Sequence, residues 1–161
     1  MKKTLILLRH GKSDWTFDLR DHDRPLNPRG KRDVPKIAQR FSELNLVPEA
    51  CFYSTAKRAT DTALGVLEEI DVNRVESLSQ LYTFDSEEVL GFISGVANDL
   101  DSILLVGHNP AYTELVNRLT SVRLDNLPTC GFAVIDFQID SWRDVSNMNG
   151  DFRILEYPKL L

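Results

Sequence analysis

Apolar residues along the chain fall into short runs separated by segments of helical spacing. The runs Thr4 to Leu8, Ala50 to Tyr53, Ser102 to Val106 and Gly131 to Phe137 read as strands, with a weaker one near Val75 and another at Phe152 to Tyr157. After Thr55, the residues Ala59, Ala63, Leu64, Leu67 and Ile70 follow helical spacing. After an expected N-cap at Ser86, so do Val89, Leu90, Ile93, Val96, Ala97 and Leu100. A third apolar stripe carries Val34, Ile37, Ala38, Phe41 and Leu44. Because proline inside a helix costs about 3 kcal/mol, Pro35 predicts either a start near Asp33 or a kink. A fourth helix is expected to open with Asn109 as N-cap and Pro110 at its first position, continuing through Tyr112, Leu115, Val116 and Leu119.

Strands alternating with helices predict an α/β fold, with a mainly parallel sheet covered on both faces and right-handed crossovers. The last two strands, joined without a helix, can pair antiparallel. A length of 161 residues suits a single domain spanning residues 1–161. With 42% hydrophobic and 27% charged residues, the composition is that of an ordinary globular protein rather than a disordered or fibrous one. The net charge of −5 argues against broad binding to nucleic acid or to an anionic membrane, so an anion site must be built locally. Met1-Lys2-Lys3 begins like a signal peptide, but the apolar run Leu5 to Leu8 stops at Arg9, so neither export nor a membrane span is expected and the cytoplasm is the expected compartment. Cys51 and Cys130 lie in apolar runs without metal-ligand pairing and are expected to be buried free thiols.

In sheets of this kind ligands bind beyond the carboxyl ends of the strands, which predicts one crevice for Arg9-His10, Ser54 to Arg58, and His108. Arg9-His10-Gly11 sets a guanidinium and an imidazole at a strand tip, beside a glycine that permits a tight turn and close ligand approach. Taken alone, the tripeptide could as well cap a sheet edge. Arg58 falls in the first turn of a helix, where a cation opposes the helix dipole, and that unfavourable placement points to an anionic ligand. His108 precedes another helix N-terminus, although a core histidine capping a strand would look the same. A cationic pocket with two histidines fits phosphoryl transfer best. A neutral imidazole attacks phosphorus in line, arginine forks neutralise the equatorial oxygens, and water later hydrolyses the phosphohistidine, with no metal or other cofactor expected. Neighbouring guanidinium charges are expected to depress the pKa of His10 and keep it nucleophilic.

Four segments carry a family resemblance: Leu7-Leu8-Arg9-His10-Gly11-Lys12-Ser13, Asp23-Arg24-Pro25-Leu26-Asn27-Pro28-Arg29-Gly30, Ser54-Thr55-Ala56-Lys57-Arg58-Ala59-Thr60-Asp61-Thr62-Ala63 and Val106-Gly107-His108-Asn109-Pro110. The chain resembles the histidine phosphatase superfamily from about Thr4 to about Phe137, and within it the SixA-type phosphohistidine phosphatase branch. The resemblance implies a three-layer α/β/α sandwich of the phosphoglycerate mutase-like fold. It also implies a pocket in which His10 is the phosphorylated nucleophile, Arg9, Arg24 and Arg58 bind the phosphoryl oxygens, and His108 completes the cluster. Arg24 enters only through the resemblance. Asp21, His22 and Asp23 could be taken for a metal-ligand cluster, but hydrated loop charges beside a turn at Pro25 explain them adequately. Lys12 and Ser13 either add donors to the phosphate or are exposed loop residues.

Many relatives carry a glutamate general acid in a Leu-x-Glu context, where this chain reads Leu81-Tyr82-Thr83-Phe84-Asp85. Asp85, Glu87 or Glu88 could substitute, yet carboxylates at a helix start are ordinary dipole partners. A sugar alkoxide needs such an acid, whereas the imidazole of a phosphohistidine can leave protonated from solvent, so the departure favours a P–N substrate. No long insertion lies between Arg58 and His108 to form a lid over a small substrate, and an open pocket suits a protein-borne phosphohistidine. The expected partner is therefore a phosphohistidine-containing protein of a phosphorelay or sugar-phosphotransfer system. The alternatives are a phosphatase of small phosphate monoesters and a non-catalytic phosphate-binding module; a mutase is disfavoured. Trp15 and Phe17 are candidates for a docking surface, although Trp15 could equally be a core residue.

Overall fold

In the computed structural model, which describes residues 2–161, the apolar runs become six strands: β1 (Lys3–Arg9), β2 (Ala50–Ser54), β3 (Arg74–Leu78), β4 (Ser102–Gly107), β5 (Phe132–Phe137) and β6 (Gly150–Glu156). The helices are α1 (Pro28–Glu43), α2 (Lys57–Val66), α3 (Ser86–Ser94) and α4 (Ala111–Leu119). The strand order is β3-β2-β4-β1-β5-β6. Strands β3, β2, β4 and β1 run parallel, as expected of strands linked by helices. Strand β5 runs antiparallel to β1, and β6 antiparallel to β5, so the antiparallel edge holds both of the last strands.

Side chains of a strand alternate between faces, and the core divides accordingly. Leu5, Leu7, Ile103, Leu105, Ala133 and Ile135 pack beneath α3 and α4, together with Tyr112, Leu115 and Trp142. Ile6, Leu8, Leu104, Val106, Phe132 and Val134 pack beneath α1 and α2, together with Ile37, Phe41 and Ala63. The result is the expected three-layer α/β/α arrangement. Cys51 and Cys130 are free and buried, and burial pushes both thiols up, Cys51 to about 12. Among the described residues no helix is long and apolar enough to cross a membrane. Met1 of the basic start lies outside the described residues.

Several helix boundaries differ from those expected. Helix α1 begins at Pro28 rather than near Asp33, because Asn27 caps it by accepting the Gly30 N–H at 2.8 Å. Pro35 stays inside the helix on its exposed side, as does Lys31, whose carbonyl loses its helical donor and faces water instead. Helix α3 is capped by Asp85, not Ser86, with Asp85 accepting the Glu87 N–H at 2.9 Å. It ends at Ser94, one residue before Gly95, so Val96 and Leu100 reach the core from outside the helix. Helix α2 ends at Val66, short of Leu67 and Ile70. Helix α4 starts at Ala111, one residue later than expected, and Asn109 still serves its first turn by accepting the Thr113 N–H at 3.1 Å.

The loop after β1 is seated on the start of α1. A side chain at Gly30 would place its Cβ 2.3 Å from the Lys12 carbonyl, so only glycine admits this approach, and Asn27 N–H donates to that same carbonyl at 2.9 Å. Gly11 faces Gly30 at close range and has no positive φ, so its role is the close approach rather than the turn expected from the sequence.

Candidate active site

Parallel register brings the two histidines together. The β1–β4 pairing matches Leu8 with Val106 and Arg9 with Gly107, so the next residues outward, His10 and His108, leave the sheet side by side. His10 N–H donates to the Gly107 carbonyl at 3.1 Å, and the two ring centroids lie 5.2 Å apart.

Hydrogen bonds fix the state of each ring. His10 Nδ1 lies 2.7 Å from the Gly11 carbonyl, which can only accept, so the proton sits on Nδ1 and the lone pair on Nε2. Arg58 Nε donates toward that Nε2 at 3.4 Å. His108 has the opposite arrangement: its Nδ1 faces Arg58 Nη2 at 3.5 Å, and Nε2–H donates to Ser54 Oγ at 2.8 Å, at the tip of β2. Burial pulls the His10 pKa down to about 3, opposed by the Gly11 hydrogen bond and assisted by the charges of Arg58, Arg9 and Arg24. Burial likewise takes His108 to about 3, helped by His10 and Arg58. The direction agrees with the sequence expectation for His10, but burial leads and the guanidinium charges come second.

Arg58 occupies the first turn of α2, as expected, and is almost completely buried. Its Nη1 donates to the Asp21 carbonyl at 2.7 Å and its Nη2 to Asp21 Oδ2 at 2.9 Å. Arg24 is also buried, donating to Ser13 Oγ at 2.7 Å and to Asp21 Oδ1 at 2.9 Å, with its guanidinium carbon 3.4 Å from the centre of the Trp15 ring. Arg9 donates to the Leu127 carbonyl at 2.9 Å, while its buried Nε has no hydrogen-bond partner. Helix α2 also braces the first loop, because Gly11 N–H donates to Thr62 Oγ1 at 2.9 Å.

Asp21 is the feature that sequence reasoning missed. Taken there as a hydrated loop charge, its carboxylate spans Arg24 and Arg58 and receives the Tyr82 hydroxyl at 2.6 Å. Partial burial works against its charge, but the hydrogen bonds from Tyr82, Arg24 and Arg58 prevail and hold its carboxyl well below the usual carboxylate range. The residue lies in a short 3₁₀ turn, outside any periodic element, so no pattern in the sequence could signal the contact. His22 bonds instead to Thr55 Oγ1 at 2.8 Å and to Asp23 Oδ1 at 3.2 Å.

Arg9, His10, Asp21, Arg24 and Arg58 line a cleft of about 400 Å³ with Lys12, Ser13, Trp15, Phe84, Asn109 and Thr129, and His108 lies buried behind His10 and Arg58 rather than in the lining. Four cations (Arg9, Lys12, Arg24, Arg58) face one carboxylate (Asp21), so the cleft favours an anion. Asp85, Glu87 and Glu88 are not among its lining. Asp85 caps α3, Glu87 pairs with Arg118, and Glu88 accepts from Thr83 at 2.9 Å. Trp15 is exposed at the cleft mouth and is not a core residue; Phe17 is exposed outside the lining. The arrangement presents an unprotonated imidazole nitrogen to a site of arginine donors, with which a tetrahedral oxyanion can be bound and attacked.

Comparisons with known proteins point the same way. A family model described as "Histidine phosphatase superfamily (branch 1)" matches residues 5–91. An uncharacterised chloroplast protein of Arabidopsis thaliana is 30% identical over 93% of this chain and 73% of its own length. A solved structure from Agrobacterium tumefaciens, assigned by name to the SixA phosphohistidine phosphatases, superposes with a TM-score of 0.84 at 25% identity, covering 97% of this chain and 98% of its own. One from Nakamurella multipartitia with the same assignment gives 0.83 at 25% identity, covering 98% and 97%.

Proposed function

The chain belongs to the histidine phosphatase superfamily and is a phosphatase, and we propose that it removes phosphate from phosphohistidine in a protein, through a covalent phosphohistidine on its own His10. The observation that carries this reading is the state of the His10 ring, neutral and with the Nε2 lone pair turned to the arginine-lined cleft. In this mechanism Nε2 attacks phosphorus in line, and the new P–N bond forms as the substrate's P–N bond breaks. The departing imidazole takes a proton from solvent. Arg9, Arg24 and Arg58 hold the phosphoryl oxygens, and His108, behind His10 and Arg58, completes the cluster. Water then attacks phosphorus, releasing inorganic phosphate and restoring His10. An incoming phosphoryl group competes with the Asp21 carboxylate for Arg24 and Arg58.

The carboxylates support a P–N substrate over a sugar phosphate. Asp21 is held ionised and so has no proton to give an alkoxide, while Asp85, Glu87 and Glu88 are engaged elsewhere. The names of the Agrobacterium and Nakamurella structures support the same substrate. A second reading, hydrolysis of small phosphate monoesters, is favoured by one observation: the cleft opens to solvent at its mouth, where Trp15 and Phe84 are exposed.

The test compares phosphate release from a histidine-phosphorylated carrier protein and from an aryl phosphate, without added metal, for wild type and His10→Ala. Strong carrier preference that vanishes in the variant is expected. Equal or reversed preference would favour the small-ester reading, and phosphate binding without release from either substrate would leave a binding module.

A further inference from the structure

Two aromatic side chains at the mouth of the cleft lie outside the buried core. Trp15 is 73% and Phe84 48% exposed, yet both line the cleft. They come from separate segments, Trp15 from the loop after β1 and Phe84 from the turn before α3. Neither ring is loose. Trp15 lies on the Arg24 guanidinium, and Phe84 stands edge-on to His108 at 5.3 Å and to Tyr82 at 5.9 Å. Phe17 and Leu19 are exposed in the same loop as Trp15 but do not reach the cleft.

An in-line displacement expels the leaving group on the side of phosphorus opposite the nucleophile. With His10 at the floor, that side is the mouth, where the apolar surface belongs to Trp15 and Phe84 and the remaining rim is polar. A flat aromatic leaving group can meet these rings face to edge or in an offset stack, whereas an aliphatic alcohol cannot use their quadrupoles. We infer that Trp15 and Phe84 are specificity-determining residues that favour phosphoryl donors whose leaving group is a planar aromatic ring. The inference rests on the phosphatase reading above and narrows it. The imidazole of a phosphohistidine and the ring of an aryl phosphate share this chemistry, and glycerol or sugar alcohols do not.

The test measures kcat/KM for a phosphohistidine peptide, a phosphotyrosine peptide and glycerol phosphate, using wild type, Trp15→Leu, Phe84→Leu, the double variant, and the conservative Trp15→Phe and Phe84→Tyr. Relative to glycerol phosphate, the ring-bearing substrates should fall about fivefold in each single leucine variant and about tenfold or more in the double, with the conservative variants within twofold of wild type. A fall for the phosphohistidine peptide assigns the preference to imidazole, and a fall confined to the phosphotyrosine peptide assigns it to aryl esters. The inhibition constant of inorganic phosphate, which has no leaving group, should stay within twofold. An unchanged ratio in the double variant, or a loss matched by weaker phosphate inhibition, would overturn the inference, the latter by making the rings mere supports for Arg24 and His108. Wild-type protein that releases phosphate from none of the three would instead remove the phosphatase reading beneath it.

Discussion

At the floor of the cleft His10 and Arg58 are 8% and 2% exposed, backed by His108 at 1%, while at its mouth Trp15 is 73% and Phe84 48% exposed. The floor is set by backbone: the β1–β4 register puts the histidines side by side, and the first turn of α2 delivers Arg58. The rim is set by loop side chains that pack against the floor without being enclosed by it. Shifting a floor residue means shifting a strand, whereas replacing a rim residue disturbs little else. The difference teaches where chemistry and selectivity can be separated in this molecule, and each substitution below tests on which side of that division a residue falls.

The largest effect is expected from His10→Ala, which should lower phosphate release by about 10⁴-fold or more, since removal of a nucleophile acting with its partners abolishes most of their joint effect. Residual turnover near wild type would place the nucleophile elsewhere. Arg58→Ala should cost on the order of 3 kcal/mol in transition-state stabilisation, about 10²-fold in kcat/KM, if it behaves like other removed electrostatic donors. Steady-state kinetics of the variant check this, and a loss under threefold would move Arg58 out of the phosphoryl site.

Asp21→Asn sharpens the comparison from the other side, because it removes the charge that competes with phosphate for Arg24 and Arg58 while keeping an acceptor oxygen. Inhibition by inorganic phosphate should tighten roughly fivefold, about 1 kcal/mol. Weaker inhibition would mean that Asp21 chiefly holds the arginines in place.

The histidines also predict a dependence of stability on pH. In the unfolded chain each takes up a proton near 6.5, but in the folded protein His10 and His108 stay neutral down to about 3. Between those values the unfolded state binds more protons, so stability should fall as pH drops from about 6.5 toward 3. Urea unfolding at pH 7 and at pH 4.5 measures the loss, and His108→Gln should reduce it. An equal loss in the variant would mean that His108 is not the group responsible.

The smallest effects belong to the carboxylates of α3. Asp85→Ala should lower stability by about 1 kcal/mol through the lost N-cap, with kcat/KM within twofold of wild type, as for Glu87→Gln and Glu88→Gln. A tenfold fall in turnover in any of the three would reveal a proton donor.

Much of this organisation was legible in the residues. Unbroken apolar runs marked β1, β4 and β5 because each is buried on both faces, and stripes of helical spacing marked α1 to α4. Boundaries failed where a local hydrogen bond outweighed periodicity: Asn27 started α1 early, and Gly95 ended α3 before the apolar pattern ran out. At the site, Arg9, His10, Arg58 and His108 could be brought together from strand ends alone, since sheet register carries them there. Arg24 could not, because its loop has no period, and only the family resemblance indicated it. Asp21, Tyr82 and Phe84 meet the site through tertiary contacts between loops, which no spacing along the chain records.

The most direct test of the central claim is a rapid-quench reaction of wild-type protein with a histidine-phosphorylated carrier, followed by proteolysis and mass spectrometry under alkaline conditions that preserve phosphohistidine. Transient phosphate on the peptide containing His10, at its Nε2 and absent from His10→Ala, is the predicted result. Full turnover with no phosphorylated His10 at any time, or phosphate carried on another residue, would contradict it.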